Sequence, residues 1–313
     1  MTPSYLVRLL LLSSASFFLV QIVLEALIAF LAPGAIRRAR TMRPQRAAGF
    51  LLALRLLPSA LSAVVVAALC VPSYLRFEPG AAEEEVGFLC LTAGILGVAV
   101  CALAIYRSVV ALVRSSRYLR SCAAFESQVA GESVWIVQRS ACVALAGILN
   151  PRVLISEGAL RLLSADQLRI ALRHEQAHRA SRDNLKRLLM LLAPSIFPNS
   201  RLLQQEWAKC AEWAADDQAT QGDAVQSATL AEALVSIARL QAGVRMPALI
   251  ASLVAADEDL SLRIDRLLES PVYGRHSRTG AIALAALALL IGAIALNPPA
   301  LRAVHQLLEH LLG

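Results

Sequence analysis

Four stretches of this chain stay apolar for about 20 residues or longer, the length at which a helix can cross a bilayer. They run roughly over 5–32, 47–71, 86–113 and 279–296, and the last holds no charged residue. Composition agrees, with 57% hydrophobic residues, 17% charged residues and a mean hydropathy of +0.59 over 313 residues. Such a balance excludes an ordinary soluble enzyme and a disordered chain. The first stretch is far longer than the apolar core of a signal peptide, and its positive charges follow it. It therefore reads as an uncleaved span.

Arginines set the orientation. Arg37, Arg38, Arg40, Arg43 and Arg46 follow the first span with no acid among them, whereas Glu78, Glu83, Glu84 and Glu85 dominate the loop after the second. Arg114, Arg117 and Arg120 follow the third span, and Arg275 and Arg278 precede the fourth. The positive-inside rule then puts the N-terminus outside and residues 114–278 in the cytoplasm. This predicts a multi-pass protein of the inner (cytoplasmic) membrane. Its parts are a three-helix transmembrane region over 1–113, a cytoplasmic domain over 114–278, a fourth transmembrane helix over 279–296 and a short extracytoplasmic tail over 297–313. The formal charge of +7 comes largely from these flanks, so the lipid bilayer is the expected partner and nucleic acid is not.

Two charges fall inside spans, Glu25 and Arg55, each about 12 Å from the cytoplasmic face at 1.5 Å per residue. An intramembrane charge needs a partner or a water path, and pairing of the two is one of the readings open to them. The alternatives are an Arg55 that snorkels to the surface and a Glu25 that meets a wet crevice. None of the six cysteines forms a C-x-x-C, which argues against a cysteine zinc ribbon. Cys70 and Cys90 both approach the outer face, where pairing is open to them, but small apolar filler is the simpler role.

The cytoplasmic segment reads as α+β. Residues 134–137 and 153–155 have strand character, with a turn at Asn150-Pro151. Ser164 and Gln167 form a capping box ahead of a helical run. Further helical patterns cover 183–193, 201–220, 224–242 and 257–269. The apolar stretch 188–197, broken by Pro194 and followed by Pro198, is too short to span. It fits a membrane-surface segment, a shallow dip into the bilayer or plain core equally well.

Inside the capped helix stands His174-Glu175-Gln176-Ala177-His178, an H-E-x-x-H. Chance supplies roughly 0.003 such motifs in a chain of this composition, so a coincidental helix face is a poor explanation. Residues four apart share a helix face, so both imidazoles reach one ion. Imidazole nitrogen suits Zn²⁺, and a catalytic zinc takes three protein ligands plus a water. Glu175 is placed to act on that water as general base. A carboxylate of the 201–220 helix would complete the set, with Glu212 the leading choice and Glu206 its competitor. Asp216, one turn beyond Glu212, can hold the outer nitrogen of a ligating histidine, with Asp217 as its competitor.

Taken together, four spans, the H-E-x-x-H after the third, Arg182-Asp183-Asn184 and the Glu212-x-x-x-Asp216 helix resemble the M56 family of membrane metallopeptidases. This is the family of the antibiotic-sensing BlaR and MecR proteins. Asn150-Pro151-Arg152-Val153, Leu154-Ile155 and Gly158 are also similar to the family's strand before the active helix. The resemblance covers about 1–296 and is strongest over 134–220. It implies a zincin-like domain of gluzincin type, one Zn²⁺ per chain held by His174, His178 and Glu212, and Glu175 as base. It further implies that Asp216 supports a ligand and that Asp183 does so or starts a helix. Ile196-Phe197-Pro198-Asn199 departs from the family's aromatic-Phe-Asn-Pro order. Only 297–313 stand where the sensors carry a penicillin-binding domain, so antibiotic sensing by that route is not expected.

The function expected is a membrane-embedded zinc endopeptidase acting in signal-dependent regulated proteolysis on a cytoplasmic protein, such as a transcriptional repressor, or on itself. Two alternatives stand beside it: a zinc-binding signalling scaffold that cleaves nothing, and a quality-control protease resembling the M48 family. The tail would lie on the outer surface as an amphipathic helix or dock a separate sensor partner. Gly94 and Gly97 would permit close helix packing, including a homodimer. There is no Walker loop or G-x-G-x-x-G, and His276, His305 and His310 have no motif around them.

Overall fold

Helix α1 (Tyr5–Arg40) has 36 residues, about 54 Å at 1.5 Å per residue. That exceeds the ~30 Å hydrocarbon core of a bilayer, so the helix continues through the arginine-rich turn that ends the expected span. The computed structural model describes residues 5–77, 87–121, 124–129, 131–138, 143–241, 251–252, 257–269, 297–299, 301–303 and 306. The fourth expected span, His276, Cys122 and Cys142 lie outside the described residues. Among the described residues three helical stretches are long and apolar enough to cross a membrane: Tyr5–Arg40, Pro44–Phe77 and Phe88–Ser121. The second comprises α2 (Pro44–Val65), a π-helical turn (Val66–Cys70) and α3 (Val71–Phe77); the third is α4. The chain is a membrane protein by these helices.

α1 and α4 pack in parallel through small residues. A Cβ on Gly97 would lie 2.5 Å from the Ser14 carbonyl oxygen, and one on Gly94 3.1 Å from that of Leu11. Ser14 Oγ donates to the Gly94 carbonyl at 2.8 Å. The two glycines are thus occupied within the chain and face α1. Gly97→Val would force the backbones apart, and we expect a loss of about 1–3 kcal/mol, the usual range for overpacking. Thermal unfolding in detergent checks this; an unchanged midpoint would contradict the close approach. Cys70, Cys90, Cys101 and Cys210 are free thiols, so Cys70 and Cys90 do not pair.

After α4 the chain forms a sheet of five strands in the order β1-β2-β4-β3-β5. They are β1 (Ala124–Val129), β2 (Glu132–Val137), β3 (Val143–Ala146), β4 (Arg152–Ser156) and β5 (Ala251–Ser252). β2 and β4 run parallel, and the other neighbours are antiparallel. The two expected strands correspond to β2 and β4. Side chains alternate between faces as a pleat requires. Val134, Ile136, Val143, Leu145, Val153 and Ile155 enter one core with residues of α6 (Ala165–Ser181) and α9 (Ala224–Gln241). Val137, Ala144, Ala146 and Leu154 face Tyr118 and Leu119 of α4.

The remaining helices are α5 (Glu157–Leu162), α7 (Asp183–Leu192), α8 (Asn199–Thr220) and α10 (Asp257–Leu268). α8 lies against the spans: Leu203, Trp207, Cys210 and Ala211 share a core with Ala39, Ala47, Ala48 and Leu51. Arg40 adds an ion pair to Glu206 at 3.1 Å. The segment after α4 is therefore seated, through α8, on the arginine-rich ends of α1 and α2.

A Glu25–Arg55 pair does not form. Glu25 Oε2 accepts from the backbone N–H groups of Ile196 and Phe197 at 2.7 and 3.2 Å. Arg55 donates to the carbonyls of Met190, Ala193 and Pro194 at 3.0, 2.7 and 3.4 Å. Both charges find the same α7–α8 turn. Sequence spacing placed them at one depth but gave no sign that a distant segment would come between them.

Candidate metal centre

α6 is built as its sequence requires. Ser164 Oγ accepts from the Gln167 N–H at 3.2 Å, and Gln167 Oε1 accepts from the Ser164 N–H at 3.1 Å, closing the capping box. Ile170, Ala171 and Leu172 bury one flank beneath the sheet. His174, Glu175 and His178 project inward and are fully buried. The helix ends at Arg182, whose φ of 54° is left-handed and reverses the chain into α7. That reversal brings Asp183 back to His178, with Oδ2 2.7 Å from Nδ1.

The two Nε2 atoms of His174 and His178 stand 3.1 Å apart, and Glu212 Oε2 from α8 lies 3.5 Å from each. Ligands about 2.0–2.2 Å from one ion in a tetrahedral arrangement stand roughly 3.2–3.6 Å from each other. The triangle has that size. His174, His178 and Glu212 are also the group of potential metal ligands found among the described residues. Among the described residues both oxygens of Glu175 are buried without a hydrogen-bond partner, and Glu212 Oε2, which has none either, meets besides the imidazoles the Arg263 Nη1 at 3.4 Å. Buried acceptors so placed beside converging imidazoles are what a divalent cation satisfies, so the residues fit zinc.

The far side of each imidazole faces a carboxylate. His174 Nδ1 lies 3.0 Å from Asp216 Oδ1, and Asp183 holds His178 while accepting from Lys186 Nζ at 2.9 Å. The Asp183 hydrogen bond sets the His178 tautomer that leaves its Nε2 for a metal, and Asp216 stands at ion-pair distance from His174 Nδ1. Glu206, the competitor for the third position, is turned toward Arg40. Asp217, the competitor of Asp216, binds Arg266.

Two arginines escaped the sequence reading. Arg263 of α10 is 4% exposed and grips Asp216 through Nε and Nη2 at 3.0 and 2.6 Å, while its Nη1 lies 3.4 Å from Glu212 Oε2. The signal was present: Leu260, Arg263, Ile264 and Leu267 follow helical spacing, which puts a charge on the apolar face of α10. Arg187 of α7 reaches Glu212 Oε1 at 3.4 Å. Asn184, next to Asp183, ties α7 to the sheet by donating to the carbonyls of Leu145 and Gly147 at 3.0 and 2.9 Å.

Burial raises Glu175 to about 7, only partly offset by the nearby histidines. For His178 burial opposes the charged form, but the Glu212 charge and the Asp183 hydrogen bond overcome it and push the group up to about 10. Burial likewise works against the charge of Asp216, yet Arg263 and His174 hold it at about 2. Glu212 is held well below the usual carboxylate range, because His178, His174 and Arg263 outweigh its burial. Zinc needs neutral imidazoles, so a metal-free site with His178 protonated at pH 7 must lose at least that proton on binding. Zinc affinity should therefore fall as pH falls. Calorimetry in buffers of different ionisation enthalpy should show proton release at pH 7; none would contradict the charge state.

Residues 116–269 match the sequence profile of Peptidase family M48. This is a family of membrane-type metallopeptidases, and the matched stretch runs from the last turns of α4 through α10, enclosing the cluster. The family matched is M48, named above in one of the two alternatives, and not M56. No curated protein matches the chain.

Proposed function

We propose that this chain is a membrane-embedded zinc endopeptidase of gluzincin type, with His174, His178 and Glu212 as ligands and Glu175 as general base. The observation that carries this reading is the buried triangle of two Nε2 atoms and Glu212 Oε2, beside a Glu175 carboxylate with no hydrogen-bond partner among the described residues. A zinc ion held there would lower the pKa of water and polarise a scissile carbonyl. Glu175, pushed up to about 7 by burial, is matched to taking a proton from the attacking water and passing it to the leaving amine nitrogen. Asp183 and Asp216 hold the histidines in register, and Arg263 balances the charge of Asp216 and Glu212.

An open cleft of about 740 Å³, lined by Trp135, Arg152, Arg179, Arg182 and Asn184, touches His178 on its Asp183 side and none of His174, Glu175 and Glu212. The arginine flanks support a site on the cytoplasmic side of an inner membrane. Leu301 is buried against Leu69 in a cluster with Phe77, at the other end of the spans from Arg40, which supports a tail on the opposite side. The substrate would then be a cytoplasmic protein or the chain itself, cut on a signal passing through the spans, as the M56 resemblance implies. The profile match favours a second reading, an M48-like quality-control protease with broader substrates. Zinc-loaded protein in liposomes should cleave an unfolded test protein, lose activity with a chelator and regain it with zinc. Zinc binding with no cleavage of any protein would favour the scaffold.

A further inference from the structure

Between α7 and α8 the chain leaves helical structure over 193–198. Helix ends leave backbone groups unpaired, carbonyls at the C-terminus and N–H groups at the N-terminus. α8 has Pro198 at its N-cap, with no side-chain cap of its own. The spans supply the missing partners. Arg55 of α2 donates to the Met190 and Ala193 carbonyls at the end of α7. Glu25 of α1 accepts from Ile196 and Phe197 just ahead of α8. Each charge has the sign that its helix end attracts, a cation at the C-terminus and an anion at the N-terminus. Gln21 joins them, donating to Glu25 Oε1 at 2.8 Å and to the Pro194 carbonyl at 3.3 Å. Irregular backbone buried away from water needs its polar groups satisfied, and these three side chains do so for this turn.

The helices joined by this turn meet again at the candidate metal centre. α7 starts with Asp183, which holds His178, and sends Arg187 to Glu212. α8 carries Glu212 itself and rests on α1 and α2 through Leu203 and Trp207. The angle of the α7–α8 hairpin thus decides where Glu212 stands relative to the histidines.

We propose that Gln21, Glu25 and Arg55 are positioning residues of the metal site, acting from within the spans by clamping the α7–α8 turn so that Glu212 meets His174 and His178. The proposal rests on the zinc reading above. It gives the intramembrane charges a role that an ion pair would not, because a shift of α1 against α2 moves the third ligand.

The test uses full-length protein in detergent or nanodiscs, with zinc affinity read by competition against a chelator and amide hydrogen exchange read over 193–198. Glu25→Ala and Arg55→Met should each weaken zinc binding about tenfold, at the lower end of what losing a ligand's supporting contact costs, and should speed exchange of the Ile196 and Phe197 amides. Glu25→Gln keeps an acceptor oxygen and should recover most of both. Val137→Ala, which opens space between the sheet and α4 away from the turn and the metal cluster, should lower the melting midpoint and leave zinc affinity unchanged. Variants that match the wild type in both readouts would overturn the positioning role alone. So would affinity that merely follows melting temperature across all four substitutions. A wild type that takes no zinc would overturn the enzyme reading and the positioning role together.

Discussion

Glu175→Gln should lower peptide hydrolysis by about 10²–10⁴-fold, the usual contribution of a positioned acid–base group, while zinc content stays at one ion per chain. The side chain is fully buried, and neither oxygen has a hydrogen-bond partner. Gln preserves its shape and adds no charge, so packing around α6 should survive. The amide cannot accept a proton, which removes both the activation of water and the return of the proton to the leaving amine. Burial lifts Glu175 from the ordinary carboxylate range to about 7 in the metal-free site, in keeping with the proton-carrying role proposed for it. Turnover of a peptide by zinc-loaded wild type and variant, with metal content measured on the same samples, checks this. Full activity in the variant would remove Glu175 from the reaction.

Arg263→Met should destabilise the fold by about 3–5 kcal/mol, the cost of leaving one partner of a buried ion pair unpaired. Asp216 is fully buried and is held ionised at about 2 chiefly by Arg263, against its own desolvation. Without the guanidinium, Asp216 must take up a proton, which weakens it as an acceptor for His174, or remain as an isolated buried charge. Met fills similar space, so the loss reports charge rather than a cavity. The double variant Asp216→Asn, Arg263→Met should recover a large part of the loss, because it removes both charges. Thermal unfolding of Asp216→Asn, Arg263→Met and the double variant, compared in a double-mutant cycle, separates the cases. Additive losses would show that the pair is not coupled.

Much of this architecture was legible because it rests on local pattern. The Ser164 capping box, the four-residue spacing of His174 and His178, and the periods of the later helices follow from backbone geometry within a few residues. β2 and β4 stood out by their β-branched and aromatic residues. β1, β3 and β5 did not: β3 is a short run of Ala, Val and Leu, and β5 is two residues long, so pairing rather than propensity makes them strands. The choice of Glu212 over Glu206 needed the rotation of α8 against the spans, which turns Glu206 toward Arg40. Arg263 lies 47 residues from Asp216, and only folding joins them. Glu25 and Arg55 had the right depth for each other, but the α7–α8 turn offered each a helix end of complementary sign.

Metal content of the purified membrane protein, measured by mass spectrometry beside His178→Ala and Glu212→Ala, bears most directly on the site. Near one zinc per chain in the wild type, lost in both variants, is the expected result for the His174, His178 and Glu212 triangle. Zinc retained in Glu212→Ala, or none in the wild type after reloading at neutral pH, would contradict it.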